Sequence, residues 1–168
     1  MVTVPDTSEY LERIRRYAVG SDPLVLQQEA PAVLAELIAT ASDGALTTRP
    51  SEGKWSVGEI LAHMAEDEIA TAWRYRQMVE HSGIDLAGFD QDMWAHKGEY
   101  GARSPRESID LFRLLRAANL QFLGHLAPEA WECCGIHAER GRVTVRELAA
   151  HMAGHDANHI EQIRRILS

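Results

Sequence analysis

Thr144-Val-Arg-Glu-Leu-Ala-Ala-His151-Met-Ala-Gly-His155-Asp-Ala-Asn-His159-Ile-Glu-Gln-Ile-Arg-Arg-Ile-Leu167 combines a helical rhythm of apolar residues with a histidine at every fourth position from 151 to 159. Side chains four apart lie on one face of a helix. Two imidazoles so placed can grip one metal ion from a single helix. The stretch opens on Thr144-Val-Arg-Glu147, a capping box in which hydroxyl and carboxylate satisfy free backbone donors reciprocally. These signals predict a helix over 144–167.

The same opening recurs upstream. Ser56-Val-Gly-Glu59 and Ser104-Pro-Arg-Glu107 predict helices over 56–81 and 104–126, with Pro105 at the first helical position, where its missing N–H costs nothing. A further pattern starts at Asp22-Pro23 and runs through Leu24, Leu26, Val33, Leu34, Leu37 and Ile38 to about Ser42. Pro31 inside it either kinks the helix or moves its start to near Ala30. Gly44 and Thr47-Thr48-Arg49-Pro50 break the pattern. A shorter helix is expected over Asp6 to Tyr17, ending at Gly20. No stretch alternates as a strand, and Ala138-Glu-Arg-Gly141-Arg reads as a tight turn with at most a few extended residues around it. Four long helices and a short N-terminal one indicate an all-α four-helix bundle, as one domain over 1–168. The long connection from Ser82 to Arg103, carrying Phe89-Asp-Gln-Asp-Met-Trp94-Ala-His96, is expected to form a lid or one wall of a site.

Composition narrows the function. The net charge is -8, and no basic stripe runs along the chain, so a nucleic-acid partner is not expected. No basic cluster around the candidate site declares a carboxylate-rich or phosphate-rich thiol as co-substrate. Neither a signal peptide nor a membrane span is evident, and the adjacent Cys133 and Cys134 suggest no disulfide framework; a cytoplasmic protein is expected.

Helical geometry ranks the histidines. With Val145 at zero and ~100° per residue, His159 falls at about 320°, within the apolar face, His155 at about 280° on its flank, and His151 at about 240° near the rim. Asp156 falls near 20°, facing inward, where a carboxylate needs a polar partner. On the helix opened by Ser56, His63 lies on the flank of the apolar face with Asp67 a turn further on, and Glu68 points to the core. His63 can therefore supply a third ligand from across the bundle. Asp67, Glu68 or Asp156 can accept N–H bonds from ligand imidazoles or act as a base. His96 is the one loop histidine among aromatic residues and is a candidate for substrate contact, with His151 beside the site. His81, His125 and His137 are expected in solvent. Trp55 reads as a hydrophobic staple; Trp73, Trp94 and Trp131 read as packing residues, and the cysteines as buried small apolar ones.

Three blocks then resemble one family in its order: Trp55-Ser-Val-Gly-Glu-Ile-Leu-Ala-His63-Met-Ala-Glu, Phe89-Asp-Gln-Asp-Met-Trp94-Ala, and Leu148-Ala-Ala-His-Met-Ala-Gly-His155-Asp-Ala-Asn-His159-Ile-Glu-Gln162-Ile. They resemble the DinB-like (DinB/YfiT) superfamily over about residues 24 to 167. The resemblance implies an up-down-down-up bundle and a divalent metal, zinc or nickel, held by His63, His155 and His159. It places Trp94 and the Asp-Gln-Asp run at the border of the site, and implies a homodimer. Characterised relatives include S-transferases that use bacillithiol, mycothiol or glutathione, a mycothiol-dependent maleylpyruvate isomerase, and one hydrolase of a genotoxin. The first expectation is a metal-dependent transferase joining a low-molecular-weight thiol to an electrophilic small molecule. A metal-dependent hydrolase and a non-enzymatic metal-binding stress-response protein are the alternatives.

Overall fold

A computed structural model describes residues 7–168, and for Thr7, Ser8 and Ala18 the backbone alone. Asp6, the first residue of the expected short helix, lies outside the described residues. The elements are α1 (Thr7–Ala18), α2 (Pro23–Ile38), α3 (Asp43–Thr47), α4 (Val57–Glu80), β1 (Ile84–Leu86), α5 (Gln91–Lys97), α6 (Pro105–Gly124), β2 (Cys134–His137), β3 (Gly141–Thr144) and α7 (Val145–Leu167). Short 3-10 turns at Tyr100–Ala102 and Pro128–Glu132 flank α6.

The helix starts follow local chemistry. Ser56 and Thr144 form complete capping boxes with Glu59 and Glu147. At α6 only half of the expected box is made: Ser104 accepts from the Glu107 N–H, and the exposed Glu107 carboxylate makes no return bond. Helix α2 begins at Pro23 and runs through Pro31 without restarting. Proline at 31 leaves the Gln27 carbonyl without its helical donor. The Arg116 guanidinium supplies that donor, Nη1 to O at 3.0 Å. The helix ends at Ile38, earlier than expected, and Asp43–Thr47 forms a helical turn capped by Ser42.

Side-chain bonds and close approaches set the helix directions. The starts of α4 and α6 touch: a Cβ on Gly58 would stand 2.9 Å from Pro105 Cγ, so the two helices run parallel. Helices α2 and α7 are also parallel, since Gln27 near the start of one donates to the Ala149 carbonyl near the start of the other, at 2.9 Å. Helix α4 opposes α7, with His63 beside His155 and Thr71 beside Met152. This is the up-down-down-up arrangement, and it requires a long crossover from the end of α4 back to the start of α6. The Ser82–Arg103 segment is that crossover. Helix α1 lies across α7, where Gly154 lets it in; a Cβ there would meet the Ile14 carbonyl oxygen at 2.1 Å.

The expectation of no strands is corrected. β1, β2 and β3 form one small sheet, with β1 parallel to β2 and β2 antiparallel to β3. The expected turn at 138–142 is the β2–β3 connection, and Gly141 closes it at φ +68°. Two apolar clusters fill the bundle. One gathers Leu34, Ile60, Leu61, Phe112 and Ile163; the other gathers Tyr75, Met78, Leu123, Val145 and Leu148. Polar residues from the middle of α4, α6 and α7 occupy the level between them.

Candidate metal centre

His63 comes from α4, and His155 and His159 from α7, one turn apart. Their Nε2 atoms converge: His155 Nε2 stands 3.1 Å from both His63 Nε2 and His159 Nε2. All three residues are buried, and one nitrogen of each lies within 4.8 Å of the others. Burial holds the imidazoles neutral, lowering His63 to about 3 and His159 to about 4, and pushing His155 well below the ordinary value. Neighbouring histidines add to the effect at His63 and His155.

Three neutral imidazoles turned nitrogen to nitrogen are a poor hydrogen-bonding set. His159 Nδ1 faces Gln162 Oε1 at 3.0 Å, which places the proton on Nδ1 and the lone pair on Nε2. His155 Nδ1 is buried with no partner among the described residues. A divalent cation is the partner that satisfies three converging lone pairs at once. Bonds of ~2.0–2.1 Å to one ion separate neighbouring nitrogens by roughly 2.9 Å at octahedral and roughly 3.3 Å at tetrahedral angles. The observed 3.1 Å separations fall between these values. Three protein ligands leave coordination positions open, as catalytic rather than closed structural sites do.

Around the triad, Trp55 packs its ring 5.1 Å from that of His63, a role that its reading as a staple did not foresee. Asp67 is buried, with Oδ2 3.6 Å from His155 Nε2. Burial, with the Glu68 charge beside it, pushes the Asp67 carboxyl up to about 7. Both His63 and Asp67 line a cavity of about 570 Å³, which also takes in His151 and the Phe89 to Asp92 run. His151 stands at its wall, its ring 6.4 Å from that of His155.

Several expected neighbours are elsewhere. Glu68 and Asp156 give no hydrogen bond to the imidazoles. They clasp Arg116, a residue that sequence reasoning missed: Nη2 donates to Glu68 Oε1 at 2.7 Å and to Asp156 Oδ1 at 3.0 Å, and Nη1 donates to the other Asp156 oxygen. Asn119 completes the set on Glu68 Oε2 at 2.9 Å. Burial opposes the Arg116 charge, but the two carboxylates outweigh it and raise its pKa. A signal for Arg116 was present, since it and Asn119 interrupt the buried stripe Ile109, Phe112, Leu123 of α6. Trp94 stacks on Phe89 at 4.4 Å and leaves the cavity wall to it, and His96 is exposed away from the cavity. His137, expected in solvent, is half-buried and lines the cavity, whereas His81 and His125 are exposed. Trp73 is 63% exposed rather than packed. Trp131 packs against the second apolar cluster, and Cys134 is buried with a half-buried Cys133 beside it, both as free thiols.

Comparison with known proteins places this geometry among relatives. A protein of Oceanobacillus iheyensis, provisionally named as a metal-dependent hydrolase, is 24% identical over 170 residues, covering 99% of this chain and 88% of its own. YfiT of Bacillus subtilis, also provisionally named as a metal-dependent hydrolase, is 20% identical over 140 residues, covering 83% of this chain and 79% of its own. The solved structure of YfiT, described as a probable metal-dependent hydrolase with an unusual four-helix bundle topology, superposes with a TM-score of 0.80 at 19% identity, over 86% of this chain and 83% of that one. A mycothiol-dependent maleylpyruvate isomerase shares the fold at a TM-score of 0.62 and 13% identity, over 82% of this chain and 56% of that one. No described helix is long and apolar enough to cross a membrane. The family model for the DinB superfamily matches residues 27–163, and the chain belongs to that superfamily.

Proposed function

We propose that the protein is a metal-dependent enzyme that hydrolyses a small molecule, with His63, His155 and His159 as the ligands of a zinc or nickel ion and Asp67 as the general base. The observation that carries this reading is the convergence of three neutral Nε2 atoms beside a buried carboxylate at an open cavity. A divalent ion held there supplies Lewis acidity, which eases proton loss from water or a thiol and polarises an acceptor oxygen. Asp67 Oδ2 takes the proton from the nucleophile and returns it to the leaving group. Gln162 keeps the His159 proton on Nδ1, and Trp55 holds the His63 ring in place. Glu68 and Asp156 take no part in proton transfer, because Arg116 engages both. His151 contacts the substrate from the cavity wall, and Trp94 acts through Phe89, which it stacks against.

Water is preferred over a thiol as nucleophile because it needs no site of its own, and because the related bacterial proteins carry hydrolase names. The likeness to the mycothiol-dependent isomerase supports a second reading, in which a low-molecular-weight thiol takes the place of water. One experiment separates them. The full chain, with metal content measured, is assayed on a panel of esters, amides and lactams and on a model electrophile, with and without thiol and chelator. Chelator-sensitive turnover without thiol is expected. Turnover only with thiol establishes the second reading, and a preparation that binds no divalent metal overturns both.

A further inference from the structure

The cavity that reaches the histidines has a second polar feature which the mechanism leaves unused. Arg74 from α4 and Arg140 from the β2–β3 turn both line it, with His137 and His151 beside them. These residues come from three separate stretches of chain, so no basic cluster is visible in the sequence. We propose that Arg74 and Arg140 anchor an anionic group, a carboxylate or phosphate, of the small molecule whose reactive centre lies at the histidines. This inference names the substrate class of the reading above and rests on it.

Both guanidiniums are part-withdrawn from water without a bonded acidic partner. Among the described residues neither forms an ion pair. Arg74 is steered by one bond to the Ala87 carbonyl at 2.8 Å and by the Phe89 ring, 5.3 Å from its centre. Arg140 makes no side-chain hydrogen bond among the described residues. Burial lowers the pKa of each; Arg15 and Arg74 add repulsion at Arg140, and the nearby Glu147 at Arg140 and Asp67 at Arg74 offset only part of the lowering. Cations held close together without a bonded counter-ion are stabilised by an incoming anion, which Arg meets with paired, directed donors. Tyr10, whose phenol burial pushes up to about 12, adds a neutral O–H donor to the same wall.

Acidic groups also face this cavity, and their positions are consistent with the assignment. Asp67 belongs to the histidine end. Asp90 is occupied as the N-cap of α5, accepting from the Asp92 and Met93 N–H groups. Asp92 and Glu139 are exposed, where water and salt screen their charge. The volume of about 570 Å³ suits a small metabolite that spans both ends.

The test is a ligand-observed NMR titration of the full chain with succinate, inorganic phosphate and neutral succinamide, with metal content measured on each preparation. Succinate or phosphate is expected to saturate the wild type while succinamide does not, and whichever anion saturates identifies the source of the charge. Arg140→Gln should weaken that binding by about tenfold, and the Arg74→Gln/Arg140→Gln double variant by about a hundredfold, with metal content unchanged. Arg140→Lys should recover part of the loss. Arg74→Gln also frees the Ala87 carbonyl, so Arg140→Gln, with no described bond to lose, is the deciding variant. Equal anion binding by Arg140→Gln and wild type overturns the proposal, as does the absence of saturation by either anion. Binding abolished by chelator yet indifferent to the arginines would show the anion on the ion, which also overturns it. Arginine-dependent binding by a protein that takes up no divalent metal when zinc or nickel is supplied would retain the anchor and overturn the metal-enzyme reading instead.

Discussion

Two polar clusters share the middle of this bundle, built from neighbouring residues of the same helices, and they have opposite characters. Asp67 and His155 look toward the cavity, whereas Glu68 and Asp156, each one residue further along, look toward Arg116. The Arg116 cluster is closed to solvent and matched in charge: one cation lies between two carboxylates, Asn119 and the Gln27 carbonyl fill further positions, and the side chains are almost fully buried, with Arg116 Nε the one guanidinium nitrogen that has no partner among the described residues. The histidine cluster sets like against like, leaves His155 Nδ1 without a described partner, and opens on a cavity. Buried polarity therefore does not by itself mark a functional site. Each cluster leaves one buried nitrogen without a described partner; what sets the histidines apart is like facing like beside an open approach.

If that division is correct, mutations should separate stability from metal binding. Arg116→Met leaves two buried carboxylates unpaired and should cost ~3–5 kcal/mol in denaturant unfolding, while the folded fraction keeps its metal. Replacing Glu68 and Asp156 with Gln and Asn in the same chain should return much of that loss. His155→Ala should do the reverse, eliminating bound metal while the metal-free variant unfolds within about 1 kcal/mol of metal-free wild type. Metal-free forms are the fair comparison, because a ligand that binds only the folded chain raises its stability by mass action. Should His155→Ala keep its metal, or Arg116→Met cost nothing, the two clusters have been assigned the wrong way round.

A finer probe of the open cluster is Gln162, which touches no ion and acts only through His159 Nδ1. Gln162→Ala should weaken metal affinity by ~10–100-fold, the usual cost of removing the partner that orients a ligand imidazole. Gln162→Glu, which retains the acceptor, should restore most of it. An unchanged affinity in Gln162→Ala would mean that the packing of Trp55 and the helices, rather than this bond, positions the ring.

How much of this was legible in the sequence follows the range of the interaction concerned. The limits of α4, α6 and α7 were readable because caps act within four residues, and Ser56, Ser104 and Thr144 each carry theirs. The His155 and His159 pair was readable because one turn of one helix sets it. Partners brought in by tertiary contact were not. Strand β1 pairs with β2 from about fifty residues away with only three residues of its own, too few to display an alternation. Arg116 looked like any surface arginine until its place in the buried stripe of α6 was counted. The cavity wall gathers the cations Arg74 and Arg140 with His137 and His151, whose imidazoles burial holds toward the neutral form, from separate segments, and no local pattern joins them.

Acid should distinguish the clusters last and most gently. Burial holds His63 at about 3 and His159 at about 4, below the ordinary value near 6.5 that the unfolded chain keeps. Between those limits the histidines bind more protons in the unfolded chain than in the folded one, so their contribution to stability falls as pH falls through the window from about 6.5 toward 4. Above that window both states are neutral and nothing is gained. Taking the metal-free protein from pH 7 to pH 6 should cost about 0.7 kcal/mol for each buried histidine. In the wild type this is offset by Asp67 and Asp156, whose carboxyls, raised to about 7 and about 6, take up protons in the folded state over the same interval. The histidine share is read as the difference in denaturant midpoint between wild type and a histidine variant. Replacing His63 with Gln should remove one histidine's share of the pH dependence. Arg116 holds the buried Asp156 carboxyl down, so Arg116→Met should let that group take up a proton in the folded state, and its cost should be larger at pH 7 than at pH 6, a tilt opposite in sign to that of the histidines. A slope that His63→Gln leaves unchanged would place the acid sensitivity of the bundle outside the histidine cluster.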